Sequence, residues 1–152
     1  MASLLVAPSV TPWRARIYAD IRAGAHNPGV RKLYYNTDDG RISDIDQYYL
    51  SLPDANDLGT AVWEKLYSYT DAYGIDDVTA SSLHELMTWF NSTAGEEDFQ
   101  QYFDHNSVGV DHFSVTPDCD CDCKRLHLCS MRYVNYDEFN ACYSNVESVV
   151  CG

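Results

Sequence analysis

The sequence predicts an α+β chain, with short β-strands and one hairpin followed by a mainly α-helical region braced by disulfides. Three observations carry this prediction. Two strand-like runs flank the turn-forming stretch Asn36-Thr-Asp-Asp-Gly40. After Pro53 the apolar residues recur at three- and four-residue spacing, the period of an amphipathic helix. All six cysteines fall in the last 34 of 152 residues. A hydrophobic fraction of 45% supports a packed core, and the length suits one domain or a piece of a larger one.

The elements follow in order. Leu4-Leu-Val-Ala7 reads as a short buried strand ended by Thr11-Pro12. Residues 13–29 read as irregular or briefly helical, with Asn27-Pro28-Gly29 as a turn. Arg31–Tyr35 and Arg41–Leu50 form the hairpin, and Gly40 supplies the positive φ its turn needs. Beyond Pro53, Val62, Trp63, Leu66, Tyr67, Thr70 and Tyr73 share one helical face, and Gly74 stops the helix. A second helix begins near Ser82, with Glu85 completing a capping box and a stripe of Leu83, Leu86, Met87 and Phe90. A third begins at Thr93, with Glu96 three residues on, and buries Phe99, Tyr102 and Phe103. A fourth covers about Cys123 to Met131, with Leu126 and Leu128 apolar. A fifth opens at Asn135, with Glu138 three residues on, and carries Phe139 and Cys142. The expected division is 1–53 for the strands and 54–152 for the helical part. Two or three strands are seldom stable alone, so these are expected to belong to a larger sheet.

Charge narrows the function. The net charge is −13, and between Ile42 and Cys123 a single base, Lys65, faces 17 acids. A phosphate-binding surface needs the opposite sign, so nucleic acid and anionic membranes are not expected partners of that stretch. No run of 18 apolar residues occurs, so no membrane-spanning helix is expected. Met1 to Ala7 resembles a signal start only faintly, because it lacks a basic leader and its apolar run is short. A disulfide-bearing chain needs a secretory route, so a secreted or lysosomal location implies a leader upstream of this sequence.

The cysteines admit two readings. Cys119, Cys123, Cys129 and Cys142 are spaced C-x3-C-x5-C-x12-C, with Cys121 and Cys151 extra. Thiolates of Cys119, Cys121, Cys123 and Cys129, with His127, form a conceivable zinc set. Structural zinc sites, however, pair two knuckles across a spacer, and here three thiols crowd together among Asp118, Asp120 and Asp122. Disulfides are the better reading, although six cysteines allow 15 pairings that residue order alone does not resolve.

The order of the segments resembles a known family. Ala7-Pro-Ser-Val-Thr-Pro12, Asn27-Pro-Gly29, Arg31-Lys-Leu-Tyr34 and Asp44-Ile-Asp-Gln-Tyr-Tyr-Leu50 look like the stretch just after the catalytic core of acid sphingomyelinase-like phosphodiesterases. Trp63-Glu-Lys-Leu-Tyr67 and Ala72-Tyr-Gly74 resemble the helix that opens their C-terminal domain, and the cysteine ladder is similar to their closing disulfides. The resemblance implies pairs Cys119–Cys123 and Cys129–Cys142. Cys121 and Cys151 have no place in that pattern and pair with each other or with a partner. It also implies a parent that hydrolyses sphingomyelin or a related phosphodiester with two zinc ions, and a chain that looks like a fragment lacking the metal-binding core. That core is then the chain's partner, and lipid or phosphodiester substrate is reached only through the parent. The ligand motifs D-x-H, G-D-x-x-D, G-N-H and G-H-x-H are absent here, and His26, His84, His105, His112 and His127 show no ligand spacing. No catalytic residue, metal ligand or cofactor is therefore assigned to this chain. Arg14–Arg22 reads as an insertion relative to the family.

Few residues remain as candidates. Tyr48 and Tyr49 end the strand nearest the expected catalytic core, and one of them can offer its ring to a substrate cation. Core packing for one and a snorkelling role for the other is the plainer reading. His84, His105 and His112 read as structural. Asn36–Gly40 looks slightly like a calcium loop, but Gln47 stands where the closing Glu belongs, which favours a simple turn. Asn91-Ser-Thr93 is the one N-glycosylation sequon and lies at an expected helix end, making Asn91 the expected glycan acceptor. Two rival readings are a stand-alone secreted binding module held by disulfides and a cytosolic metal-binding protein built on the Cys-Asp-Cys-Asp-Cys run.

Overall fold

A computed structural model describes residues 25–109 and 119–151, together with Leu5, Pro8, Val10 and Trp13–Arg14. The strand read at Leu4–Ala7, the insertion read at Arg14–Arg22 and His112 lie, but for Leu5 and Arg14, outside those residues.

Strands precede a run of helices, as the sequence predicts, but the sheet is three-stranded and antiparallel where the sequence reads a hairpin alone. Two short strands, β1 (Trp13–Arg14) and β2 (Ala25–His26), pair antiparallel where the sequence reads as irregular or helical. The sheet proper follows, with β3 (Gly29–Tyr35), β4 (Ile42–Leu50) and β5 (Trp63–Ser68) in the order β3-β4-β5. The hairpin turn sits where Asn36–Gly40 predicts. Asn36 Oδ1 accepts from the Asp38 amide, the Gly40 amide bonds back to Asn36 O, and Gly40 has φ 71°. Gly29 begins β3 rather than closing a turn. An added Cβ there would meet Gln47 Nε2 and Val108 Cγ1 at 2.9 Å, so the backbone needs a glycine for close approach.

The largest departure from the sequence reading is Trp63–Ser68, which is a strand and not the first half of a helix. Its apolar spacing fits a helix, but β4 offers a free edge, and β5 takes it in the register Asp46↔Ser68 through Leu50↔Trp63. A bulge between Gln47 and Tyr48 absorbs Leu66 as the extra residue. Ladder hydrogen bonds outweigh the modest helix preference of six residues. The helical character survives only in α2 (Tyr69–Tyr73), which Gly74 ends at φ 61° as expected. A short helix, α1 (Leu52–Leu58), bridges β4 and β5, with Ser51 as its N-cap, Pro53 in its first turn and Gly59 at φ 65° as its C-cap.

The remaining helices are α3 (Ala80–Phe90), α4 (Glu96–Asn106), α5 (Cys121–Arg132) and α6 (Tyr136–Ser144), followed by a 3-10 turn at Val146–Ser148. Thr79, not Ser82, caps α3, accepting from the Ser82 amide, while Ser82 donates its hydroxyl to Asp77. Helix α4 starts at Glu96 after Gly95, later than Thr93 suggests. Asn135 caps α6 as predicted, accepting from the amides of Asp137 and Glu138. Met87, Phe90, Phe99, Phe103, Cys119, Leu128 and Val149 form the helical core, with Tyr73, Leu86, Tyr102 and Cys123 packed against it. Phe90, Phe99 and Tyr102 meet ring to ring at 5.5–6.0 Å.

Three disulfides lock this half. Cys119 pairs with Cys123, Cys121 with Cys151 and Cys129 with Cys142, at Cα separations of 5.3, 5.6 and 5.8 Å. The first brackets Asp120, the N-cap of α5; the second ties the chain's last turn to the same helix end; the third joins α5 to α6. Among the described residues no helix is long and apolar enough to cross a membrane.

Candidate functional site

Strand register decides which side chains share a face of the sheet. The ladder sets Val30 opposite Tyr48 and Tyr48 opposite Lys65; two pairs along, Lys32 opposes Asp46 and Asp46 opposes Ser68. Residues directly opposite one another point the same way. Lys32, Tyr34, Asp46, Tyr48 and Lys65 therefore share one face. The other face carries Arg31, Ile45, Gln47, Tyr49 and Tyr67, and its rings and guanidinium meet α2 and α4. Arg31 Nε donates to Gln47 Oε1 at 2.9 Å and its guanidinium lies over the Tyr69 ring, while Tyr67 stacks on His105 of α4 at 3.9 Å between centroids.

Asp46 is the centre of the first face. It is buried, yet Tyr34 Oη donates to its Oδ2 at 2.8 Å and Lys65 Nζ lies 2.6 Å from its Oδ1. Burial by itself would raise this carboxyl, but the bonds from Lys65 and Tyr34 and the charges of Lys65 and Lys32 outweigh it and hold its pKa below the ordinary value. Lys32 sits 4.5 Å from the Tyr34 ring centre. Tyr34 raises the pKa of Lys32 and Asp46 that of Lys65, so both stay cationic. An ionised, doubly bonded carboxylate offers no free base. The cluster suits positioning and recognition rather than proton transfer.

The two tyrosines from the sequence reading fall on opposite faces. Tyr48 is half-buried on the face with the lysines, whereas Tyr49 packs against Gly109 and reaches Glu64 with its hydroxyl at 3.4 Å. Gly109 has φ 70° and an added Cβ would lie 3.2 Å from the Tyr49 ring. Val108 before it holds φ 58°, which is rare for a β-branched residue. Residue order alone does not single out Asp46, Tyr34 and the two lysines. The alternation of Lys32 with Tyr34 and of Asp46 with Tyr48 carries the signal, but only the register unites them.

The described histidines do not form a metal pair. His105 and His127 are each held by a tyrosine, with Tyr73 Oη 3.0 Å from His105 Nδ1 and Tyr102 Oη 3.3 Å from His127 Nδ1. Burial pushes both imidazoles below their ordinary pKa and Tyr102 up to about 12. Among the described residues one set of three potential donors converges, Cys119, Cys123 and His127. Two of these sulfurs are spent on each other as a disulfide, so the set lacks the thiolates that a zinc ion takes. These residues do not fit the pair of zinc ions that the resemblance implies for the parent.

Comparison with known proteins gives the family. The model of the acid sphingomyelin phosphodiesterase C-terminal region matches residues 1–149. The chain is 33% identical over 143 residues to acid sphingomyelinase-like phosphodiesterase 3b of Homo sapiens, covering 93% of this chain and 30% of that protein. It is 34% identical over 140 residues to the cyclic GMP-AMP phosphodiesterase SMPDL3A of Rattus norvegicus, covering 92% and 30%. It is 27% identical over 139 residues to sphingomyelinase phosphodiesterase C of Dictyostelium discoideum, covering 91% and 29%. The chain thus spans about 30% of the length of these relatives. A sheet followed by disulfide-braced helices, and a family match running from one end of the chain almost to the other, make it a member of the acid sphingomyelin phosphodiesterase C-terminal region family, within a group of phosphodiester hydrolases.

Proposed function

We propose that this chain serves as the non-catalytic, C-terminal part of a sphingomyelinase-like phosphodiesterase. The parent would hydrolyse sphingomyelin or a related phosphodiester with two zinc ions held by residues outside this chain. The chain would frame and brace the catalytic part. In this reading residues 1–53 complete the parent's catalytic sheet, 54–152 form the helical brace, and the parent is secreted or lysosomal.

The observation that carries the reading is the open face of β3-β4-β5. Of three lysines in a chain of net charge −13, Lys124 is buried and the other two, Lys32 and Lys65, both lie on this face. Tyr34 and Tyr48 lie between them. Such a face suits a docked protein surface that carries acidic and apolar groups. We propose that its occupant is the catalytic part of the parent, and Tyr48, not Tyr49, is the candidate for the rim of a substrate groove. A stand-alone binding module is the second reading. The self-contained helical core and the three closed disulfides favour it.

The test is hydrolysis of a chromogenic phosphodiester by the purified chain with added zinc, beside a fusion to the catalytic part of a relative. The chain alone should give blank rates and the fusion should turn over. Charge reversal at Lys32 and Lys65 together should then lower the fusion's melting temperature more than that of the free chain. Turnover by a metal-stripped and refilled sample of the chain alone overturns the reading. Equal effects of the charge reversal on both forms remove the docking face.

A further inference from the structure

The side chain of the sequon residue Asn91 is already in use. Asn91 ends α3, and its amide grips the chain's last turn from both sides: Nδ2 donates to Ser148 O at 3.3 Å, and the Val150 amide donates to Oδ1 at 2.8 Å. Between these two partners Val149 is extended, at φ −134° and ψ 136°, and its side chain is buried in the helical core. One residue beyond Val150 is Cys151, which is bonded to Cys121. The clamp, the buried Val149 and the disulfide therefore hold one short piece of chain.

The geometry points to a choice at Asn91: its amide holds either the C-terminal turn or an N-linked glycan, never both. Ser148 O and Val150 N flank one extended residue, so a single planar amide reaches both only through Oδ1 and the Nδ2 hydrogen on the same side as Oδ1. Glycan transfer joins Nδ2 to the anomeric carbon of the sugar and breaks that carbon's bond to a lipid-linked pyrophosphate donor. It releases one Nδ2 proton, with the lipid pyrophosphate as leaving group. The product is a secondary amide, which strongly prefers the trans arrangement. Cβ and the sugar carbon then lie on opposite sides of the Cγ–Nδ2 bond, which puts the sugar beside Oδ1. It replaces the hydrogen that Ser148 O accepts. A glycan at Asn91 therefore expels Ser148, draws Val149 from the core and separates Cys151 from Cys121. The form with the Cys121–Cys151 bond closed is the unglycosylated one, and Asn91 acts there as a structural clamp.

Expression of the full chain through the secretory pathway of a eukaryotic cell tests this. Glycoforms are separated by their shift on glycosidase treatment and mapped for disulfides without reduction. Molecules with Cys121–Cys151 closed should carry no glycan on Asn91, and any glycan on Asn91 should occur only where Cys151 is free or otherwise paired. A single molecule with both features overturns the proposal. Thr93→Ala abolishes the sequon and leaves the clamp, because the Thr93 side chain is exposed and outside it. It should melt like the unglycosylated parent, whereas Asn91→Ala should melt about 4 °C or more lower. Equal melting of the two variants also overturns the proposal. If Asn91→Ala does not fold, the disulfide maps of the wild-type glycoforms decide alone.

Discussion

The sheet half and the helical half solve the same problem with different means. The helical half, Ala80 to Cys151, buries a cluster of aromatic and aliphatic side chains and closes it with three disulfides. The sheet half, Gly29 to Ser68, buries only Ile45 and Leu50 among its large apolar residues and leaves Leu33, Tyr35 and Trp63 in solvent. Its polar groups satisfy one another through Asp46, Gln47 and Arg31, and among the described residues neither outer strand has a further neighbour. The contrast teaches that the helical half concentrates the buried apolar groups and the covalent ties, while the sheet half holds few of either. The sheet half leans on it where Tyr67 stacks on His105, with Tyr69 and Tyr73 of α2 packed beside Tyr67.

The strongest way to break this comparison is in the helical core. Phe99 is 0% exposed, whereas Leu33 is 49% exposed. Phe99→Ala should cost about 3–5 kcal/mol and Leu33→Ala within about 0.5 kcal/mol, read from denaturant midpoints. Comparable losses would mean that the sheet packs as tightly as the helices.

Removing Cys129–Cys142 comes next. The bond closes a 13-residue separation between α5 and α6, and its loss as a double serine variant should cost about 3 kcal/mol. Circular dichroism should show helix melting at lower temperature while the near-ultraviolet signal of the tyrosines around β5 shifts less.

Acid probes both halves through their titrating groups. His105 and His127 are half-buried, and their loss of solvent holds their folded pKa values below those of an unfolded histidine. Below pH of about 6.5 the unfolded chain binds protons that the folded chain refuses, so stability falls as pH drops from there. Asp46 and Glu96 act lower down. Burial opposes it, but Lys65 and Tyr34 on Asp46, and Lys124 and Gln100 on Glu96, depress their pKa values. The stability these carboxylates contribute is present above their unfolded pKa values and is lost as pH falls through the folded ones. Melting temperature should therefore decline in two stages, and His105→Gln with His127→Gln should flatten the upper one. An unchanged upper stage in that variant would remove the histidines from the account.

The smallest effects sharpen the seam. Gly109→Ala meets a positive φ and the Tyr49 ring together and should cost about 1–2 kcal/mol. Lys65→Ala removes an ion pair whose ammonium is half-exposed, and it should lower the free chain's melting temperature less than Gly109→Ala does.

Much of this fold was legible because its signals close over a few residues. Asn36–Gly40 and the Asn135 cap satisfy their hydrogen bonds locally, Gly74 ends its helix at a positive φ, and the stripe Phe99, Tyr102 and Phe103 repeats at the helical period. Disulfide pairing was legible only through family resemblance, and the Cys121–Cys151 pair stayed open. The pattern of Trp63–Ser68 suits either element, so only the ladder tells them apart, and the partners of Asn91 lie 57 and 59 residues away, beyond any local signal.

The sequence by itself determined the hairpin turn at Asn36–Gly40, the helix stop at Gly74, the Asn135 cap, the aromatic stripes, the acidity and the family resemblance, since each depends on neighbours in the chain. Tertiary structure decided that β5 is a strand, that Tyr48 and Tyr49 part company across the sheet, that Lys32 and Lys65 meet at Asp46, and that Asn91 holds the last turn. The physical reason is the same in each case. A ladder bond, a shared face or a clamp belongs to groups brought together by folding, and no local pattern records which distant partner will complete it.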